Sequence, residues 1–324
     1  MIVIPNVGSD APVPARRRWS RRLGWALLLA VSVLIYGSHA PLIALSKVDG
    51  RVPFSSSSCV VLIELAKLSA SLAALLARGG PRPRVSWAQA APYALPALLY
   101  ALNNNLVVAM QAHMDPSSFQ VLGNLKIGCT GLLYRSCLGR RLGARQWLAL
   151  GVLTAAGVCH SYSSLEVEDR AVAGGSVPRT RLRVSALGLL MLLSYCLISG
   201  LAAVYTELIL KSQRLPLSLQ NLFLYTFGVA VNGAAHVAGA GGDRGFLEGY
   251  SATVWAIVAG QAANGLLMSA VMKHGSSVTR LFVISCSMLV NGALSWLLLG
   301  LQLTPGFLLA VLMIALAAHL YYGT

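Results

Sequence analysis

Lys67, Lys126 and Arg280 each interrupt a stretch of chain apolar enough to span a bilayer. An isolated cation at mid-membrane costs roughly 2.5–3.5 kcal/mol on insertion scales. A chain keeps such groups where they face a protein-lined cavity and meet an anion there. The three cations therefore constrain the fold to a helical bundle with a polar interior, and they point to a negatively charged ligand inside the membrane.

The composition agrees. Of 324 residues, 56% are hydrophobic and only 11% charged, where a soluble domain would carry about 25% charged residues. The net charge of +15 does not indicate nucleic acid, because the basic residues sit in short loops between apolar runs, the pattern that sets membrane topology. None of the six cysteines forms a CxxC pair or a zinc-spaced cluster with histidine, so they read as small packing residues, and no metal or cofactor is expected. No Asn-x-Ser/Thr acceptor is present. The Gly-rich stretch from Gly239 to Gly245 lacks a P-loop lysine and reads as a loop. No HExxH or G-x-S-x-G motif suggests an enzyme.

About 20 apolar residues cross a bilayer as a helix. Ten such runs are predicted: 23–45, 57–77, 87–112, 116–138, 144–163, 184–210, 217–238, 251–272, 276–299 and 303–322. The first follows Arg16–Arg18 and Arg21–Arg22 and reads as a retained signal anchor. With the N-terminus in the cytosol, fifteen loop or tail Lys and Arg fall on the cytosolic side and seven on the other. That asymmetry favours both termini in the cytosol and an even number of spans. The domain reading is a basic cytosolic tail (1–22), a first transmembrane half (23–163), a polar luminal linker (164–183) and a second half (184–322). Shifting the chain by 159 residues brings Asn105 onto Asn264, Ser117-Ser118 onto Ser276-Ser277 and Leu122 onto Leu281. An all-α membrane protein with a 5+5 inverted repeat is expected, since five spans per half place the halves in opposite orientations.

Several polar groups stand out within the spans. Glu64 and Lys67, three apart on one helix face, are either a mutual ion pair that makes burial tolerable or the charged wall of a cavity. Asn103-Asn104-Asn105 cover most of a turn, so at least one amide faces inward, toward a ligand or a neighbouring helix. Asp115 and Pro116 read as the N-cap and first turn of a helix. Lys126 then falls about 15 Å along it, with no carboxylate nearby on its own helix, which favours a phosphate contact. Glu207 and Lys211 are an i,i+4 pair with a structural role. Asn221 and Tyr225 share a face and could read a base edge, or simply pack. Arg280 lies about a turn inside its span and can grip phosphate with two donors.

In order along the chain, Glu64-Leu-x-Lys67, Asn103-Asn104, Asp115 to Lys126, Val204-Tyr205-x-Glu207 with Lys211, Asn221-Leu-x-Leu-Tyr225 and Asn264-Gly-Leu-Leu-x-Ser with Lys273 resemble the nucleotide-sugar transporters, the A group of solute carrier family 35. The resemblance covers 23–322 and is nearest the branch that carries CMP-sialic acid, UDP-galactose and UDP-N-acetylglucosamine. It implies a drug/metabolite transporter fold, Golgi residence and exchange of a nucleotide sugar for a nucleoside monophosphate. It also implies a nucleotide site at Tyr100, Asn104, Lys126, Asn221, Tyr225 and Arg280, with Glu64 and Lys67 lining or bracing it. Relatives carry lysine in place of Arg280, tyrosines in place of Phe119 and Gly123, and serine in place of Phe227. UDP-sugars, CMP-sugars and a CDP-alditol such as CDP-ribitol remain open as substrates. A transport-inactive scaffold that associates with other nucleotide-sugar transporters is the alternative, and a sugar-phosphate or drug-type carrier a third reading.

Overall fold

The structure is a computed structural model; it describes residues 15–48, 52–79, 85–110, 113–114, 116–172, 185–239, 245–300 and 304–323. Every regular element among them is helical: α1 (Ala15–Ser46), α2 (Ser56–Ala77), α3 (Trp87–Ala90), α4 (Ala94–Met110), α5 (Pro116–Leu122), α6 (Lys126–Leu138), α7 (Ala144–Val172), α8 (Ala186–Ser212), α9 (Leu217–Gly239), α10 (Ala252–His274), α11 (Ser277–Leu299) and α12 (Pro305–Tyr322). Short 3-10 turns join α3 to α4 (Ala91–Tyr93) and α5 to α6 (Gly123–Leu125). Hydroxyl side chains set several starts. Ser55, Ser185, Ser251, Ser276 and Thr304 each accept a hydrogen bond from a backbone N–H of the first turn that follows, satisfying a donor the helix itself leaves unpaired.

Seven helices are long and apolar enough to cross a membrane: Arg22–Ser46 within α1, α2, α8, α9, α10, Ser277–Leu298 within α11, and α12. Three predicted spans differ. Those at 87–112 and 116–138 are each broken by a 3-10 turn, one holding Pro92 and the other opening at Gly123. The one at 144–163 is continuous but carries His160, Ser161 and Ser163, and it runs on as helix to Val172. The first nine residues expected as linker are thus helical, while 173–184 lie outside the described residues. Asp115, the expected N-cap, is also outside them, although Pro116 does open α5. Helix α1 begins at Ala15, inside the arginine cluster expected as a tail.

The burial pattern is inverted relative to a protein in water. Leu27, Leu34, Leu98, Leu190, Leu297 and Leu312 are exposed around the bundle, whereas Asn124, Glu207, Gln220, Asn221 and Asn264 are buried within it. Leucine loses nothing by meeting lipid tails, and polar side chains gain by meeting one another. This is a multi-pass membrane protein.

The helices pair in a regular way. Helix α2 packs on α9, and α7 on α12; α1 packs on α10 and α11, and α8 on α4 and α6; α4 also packs on α9, and α10 on α2. These principal contacts are unchanged when α1, α2, α4, α6 and α7 exchange places with α8, α9, α10, α11 and α12.

Candidate functional site

Among these helices lies a cavity of about 220 Å³. Its walls come from both halves of the chain: Tyr36 on α1, Glu64 and Lys67 on α2, Tyr100 and Asn104 on α4, Thr206 on α8, Tyr225 and Asn232 on α9, Asn264, Met268, Ser269 and Met272 on α10, and Arg280 on α11. A second lobe of about 530 Å³ shares Glu64, Lys67, Asn104, Asn264 and Gly265 with the first. It continues toward Val52, Phe54 and Ser56 at the start of α2, past His39 and Gln261. The shared residues form a throat between the lobes.

Lys67 donates to Glu64 at 2.6 Å across one turn of α2. Its ammonium also lies 4.4 Å from the centre of the Tyr225 ring, a cation–π arrangement. Tyr225 is buried and its hydroxyl bonds Ser269 at 3.1 Å. Two glycines make room for the pair. A Cβ on Gly228 would lie 2.5 Å from Glu64 Oε2, and one on Gly265 would lie 2.6 Å from Lys67 Cδ. Both distances are shorter than packed atoms allow, so the pair is fitted into α9 and α10 and not merely set against them.

Arg280 is differently placed. One of its terminal nitrogens donates to the Tyr100 hydroxyl at 3.1 Å, and the guanidinium lies 5.8 Å from that ring's centre. Its Nε is buried with no hydrogen-bond partner. The ion pairs among the described residues are Lys67–Glu64 and Lys211–Glu207, so no carboxylate there neutralises Arg280. A guanidinium presents a fork of donors that matches the geometry of a phosphate or carboxylate.

The asparagine triad divides. Asn104 faces both lobes, Asn105 donates to Ala101 O on its own helix at 2.8 Å, and Asn103 has a buried carbonyl oxygen without a partner. Of the eight residues expected at the site, Glu64, Lys67, Tyr100, Asn104, Tyr225 and Arg280 come together, while Lys126 and Asn221 do not line the cavity. Lys126 opens α6 directly after a 3-10 turn. Each 3-10 residue advances about 20° more than an α-helical one, so three residues turn the following face by about 60° relative to a continuous α-helix. Asn221 shares a face with Tyr225 but lies one turn nearer the start of α9, beside Gln220, which is tied to Lys273. It is below the cavity floor.

That floor is a polar network. Glu207 pairs with Lys211 at 2.6 Å and accepts from both the backbone N–H, at 2.5 Å, and the hydroxyl of Ser277 at the start of α11. Lys211 donates to Gly275 O at 2.5 Å, and Lys273 to Leu215 O at 2.8 Å. Glu207 and Lys211 are structural, as their spacing suggests. Phe119 and Phe227 stack edge-on against Tyr195 and Trp87 and do not line the cavity.

Tyr36, Thr206, Asn232, Asn264 and Ser269 were not expected at the site. Asn264 had a signal in the repeat, where it pairs with Asn105, and Asn264 and Ser269 both stand in the Asn264-Gly-Leu-Leu-x-Ser motif. The rest are single polar residues in apolar spans, and only the packing shows which way they face.

The model of the nucleotide-sugar transporter family matches residues 26–322. The chain belongs to the nucleotide-sugar transporter family. Relatives named "Probable UDP-sugar transporter protein SLC35A4" share 60% identity in Danio rerio, over 93% of this chain and 94% of the relative, and 55% in Homo sapiens, over 97% and 98%. A solved crystal structure at 15% identity has the same fold, with a TM-score of 0.67 over 91% of this chain and 94% of its own. For a nucleotide-sugar transporter, a cavity that joins one uncompensated guanidinium to a throat of amides and a fixed ion pair has the right chemical contents. Its ligand pairs phosphate with many hydroxyl and amide-like groups.

Proposed function

We propose that this transporter moves a pyrimidine nucleotide sugar into the Golgi lumen in exchange for the nucleoside monophosphate, by alternating access within ten spanning helices built as a 5+5 inverted repeat. The observation that carries the reading is Arg280, a cation inside the cavity with a buried unpartnered Nε and no carboxylate beside it. Arg280 takes the phosphate. Tyr100 holds the guanidinium in place, and Asn104 and the Glu64–Lys67 pair meet the uncharged parts of the ligand. Tyr225 braces Lys67 and offers its edge to the cavity; one face is already covered by the ammonium. The Lys126 and Arg280 clamp expected from the sequence becomes a single-cation site in this arrangement. The exchange symmetry of the helix contacts supports the repeat, and the relatives' name favours UDP-sugars over CMP-sugars and CDP-ribitol. The loop-charge asymmetry supports cytosolic termini.

The test uses purified protein in liposomes preloaded with UMP or CMP and challenged with labelled UDP-sugars, CMP-sialic acid and CDP-ribitol. Exchange of at least one of them, stimulated by the preloaded monophosphate, is expected. If none is exchanged and none raises the melting temperature, the reading fails, and co-purification of another nucleotide-sugar transporter then favours the scaffold.

A further inference from the structure

Asn264 sits in the throat common to both lobes. It is only 6% exposed, and its carbonyl oxygen is buried with no hydrogen-bond partner. A buried acceptor left unpaired costs about 1–3 kcal/mol. Its neighbours on the same face are occupied: Ser269 with Tyr225 and Gly265 O, and Gly265 by the stem of Lys67. Asn103 and Asn221 also carry buried carbonyl oxygens without a partner, but neither lines the cavity; Asn264 does.

Asn264 and Arg280 line the same cavity from the consecutive helices α10 and α11. Arg280 lies five residues past the break at Gly275 and Asn264 eleven residues before it, a difference in depth along the two helices of about 9 Å at 1.5 Å per residue. A ligand whose phosphate rests on Arg280 therefore presents a different group to Asn264. The carbonyl oxygen accepts only, so it selects a ligand N–H or O–H.

We propose that Asn264 is a specificity-determining residue of the cavity, accepting a hydrogen bond from a ligand N–H or O–H donor outside the phosphate held by Arg280. The inference rests on Arg280 being the phosphate contact. Two parts of a nucleotide sugar carry such donors, the pyrimidine edge and the sugar hydroxyls. A site that hydrogen-bonds a substrate donor discriminates strongly against analogues lacking it, because its own polar atom is then stranded.

Binding to the purified full chain in detergent separates the possibilities, with CMP, UMP, UDP, UDP-glucose, UDP-galactose and UDP-N-acetylglucosamine as probes. Asn264→Ala and Asn264→Ser are compared with Arg280→Gln and the unaltered chain. Asn264→Ala should narrow the preference among probes by about tenfold, one hydrogen bond's worth, while every phosphorylated probe still binds. Asn264→Ser, which keeps an acceptor, should restore part of it. A change confined to CMP against UMP places the donor on the base; one confined to the UDP-sugars places it on the sugar. Arg280→Gln should weaken all probes together. If it does so and neither Asn264 variant alters the order of preference, this inference is overturned and the phosphate reading stands. If Arg280→Gln leaves binding intact, the phosphate reading falls and this inference with it.

Discussion

At the scale of the residue, charge and its partner decide what can be read. Glu64–Lys67 was legible because both members of the ion pair lie on one helix at a helical spacing, with either a structural or a ligand-facing role open. The structure shows them paired and lining the throat. Single removals should then hurt stability more than joint removal, since a lone buried charge is worse than none. Glu64→Gln with Lys67→Met should melt nearer to the unaltered chain than Lys67→Met alone, yet bind UMP and UDP-sugars at least tenfold more weakly. A double-mutant cycle in melting and ligand binding checks both halves of that statement. The glycine that admits Lys67 gives an independent handle. Gly265→Ala places a Cβ 2.6 Å from the Lys67 stem, so the Lys67 side chain must shift away from the Tyr225 ring; binding should weaken although no polar group is removed, as read by titration with UMP. By contrast, Tyr36, Thr206 and Asn232 could not be picked out from sequence. A lone polar residue in an apolar helix looks the same whether it faces a cavity or a neighbour.

At the scale of the element, helix periodicity served well where the helix is uniform and misled where it is not. The spacing of Asn221 and Tyr225 does put them on one face of α9, but depth along the helix, not azimuth, excludes Asn221 from the cavity. Lys126 is not among the cavity's lining residues, and the turn before it, Gly123–Leu125, is 3-10 and not α-helical. Composition hints at such a break through Gly123 but does not say how far the following face turns. The joint at the other end of the molecule is better determined. Glu207 is fully buried, bonds the first turn of α11 and pairs with Lys211, so it ties α8 to α11 and places a negative charge at a helix N-terminus, where the dipole favours it. Glu207→Ala strands Lys211 and should cost about 3–5 kcal/mol, seen as a sharply lowered melting temperature. Glu207→Gln, which still accepts from Ser277, should lose less.

At the scale of the whole molecule, hydropathy and loop charge predict a multi-pass helical bundle, and the burial pattern agrees. Pairing across the halves is not in the sequence, since apolar spans are nearly interchangeable in composition. The α2–α9 and α7–α12 pairs, and the matching pairings of α1 and α8, emerge only from the packed chain. The proposed ten crossings, with the loop-charge asymmetry, would put both ends on one side. Epitope tags at the N- and C-terminus should both be stained when only the plasma membrane is permeabilised; staining of one end alone would require an odd number of crossings. Arg280 adds a consequence that concerns cycling. Unaccompanied, the guanidinium would sit as a naked charge in the closed state between the two openings, whereas a bound phosphate stays with it as counterion. On the exchange reading, the vacant carrier is the slow one, and each delivery waits for an outgoing nucleotide to reset the protein.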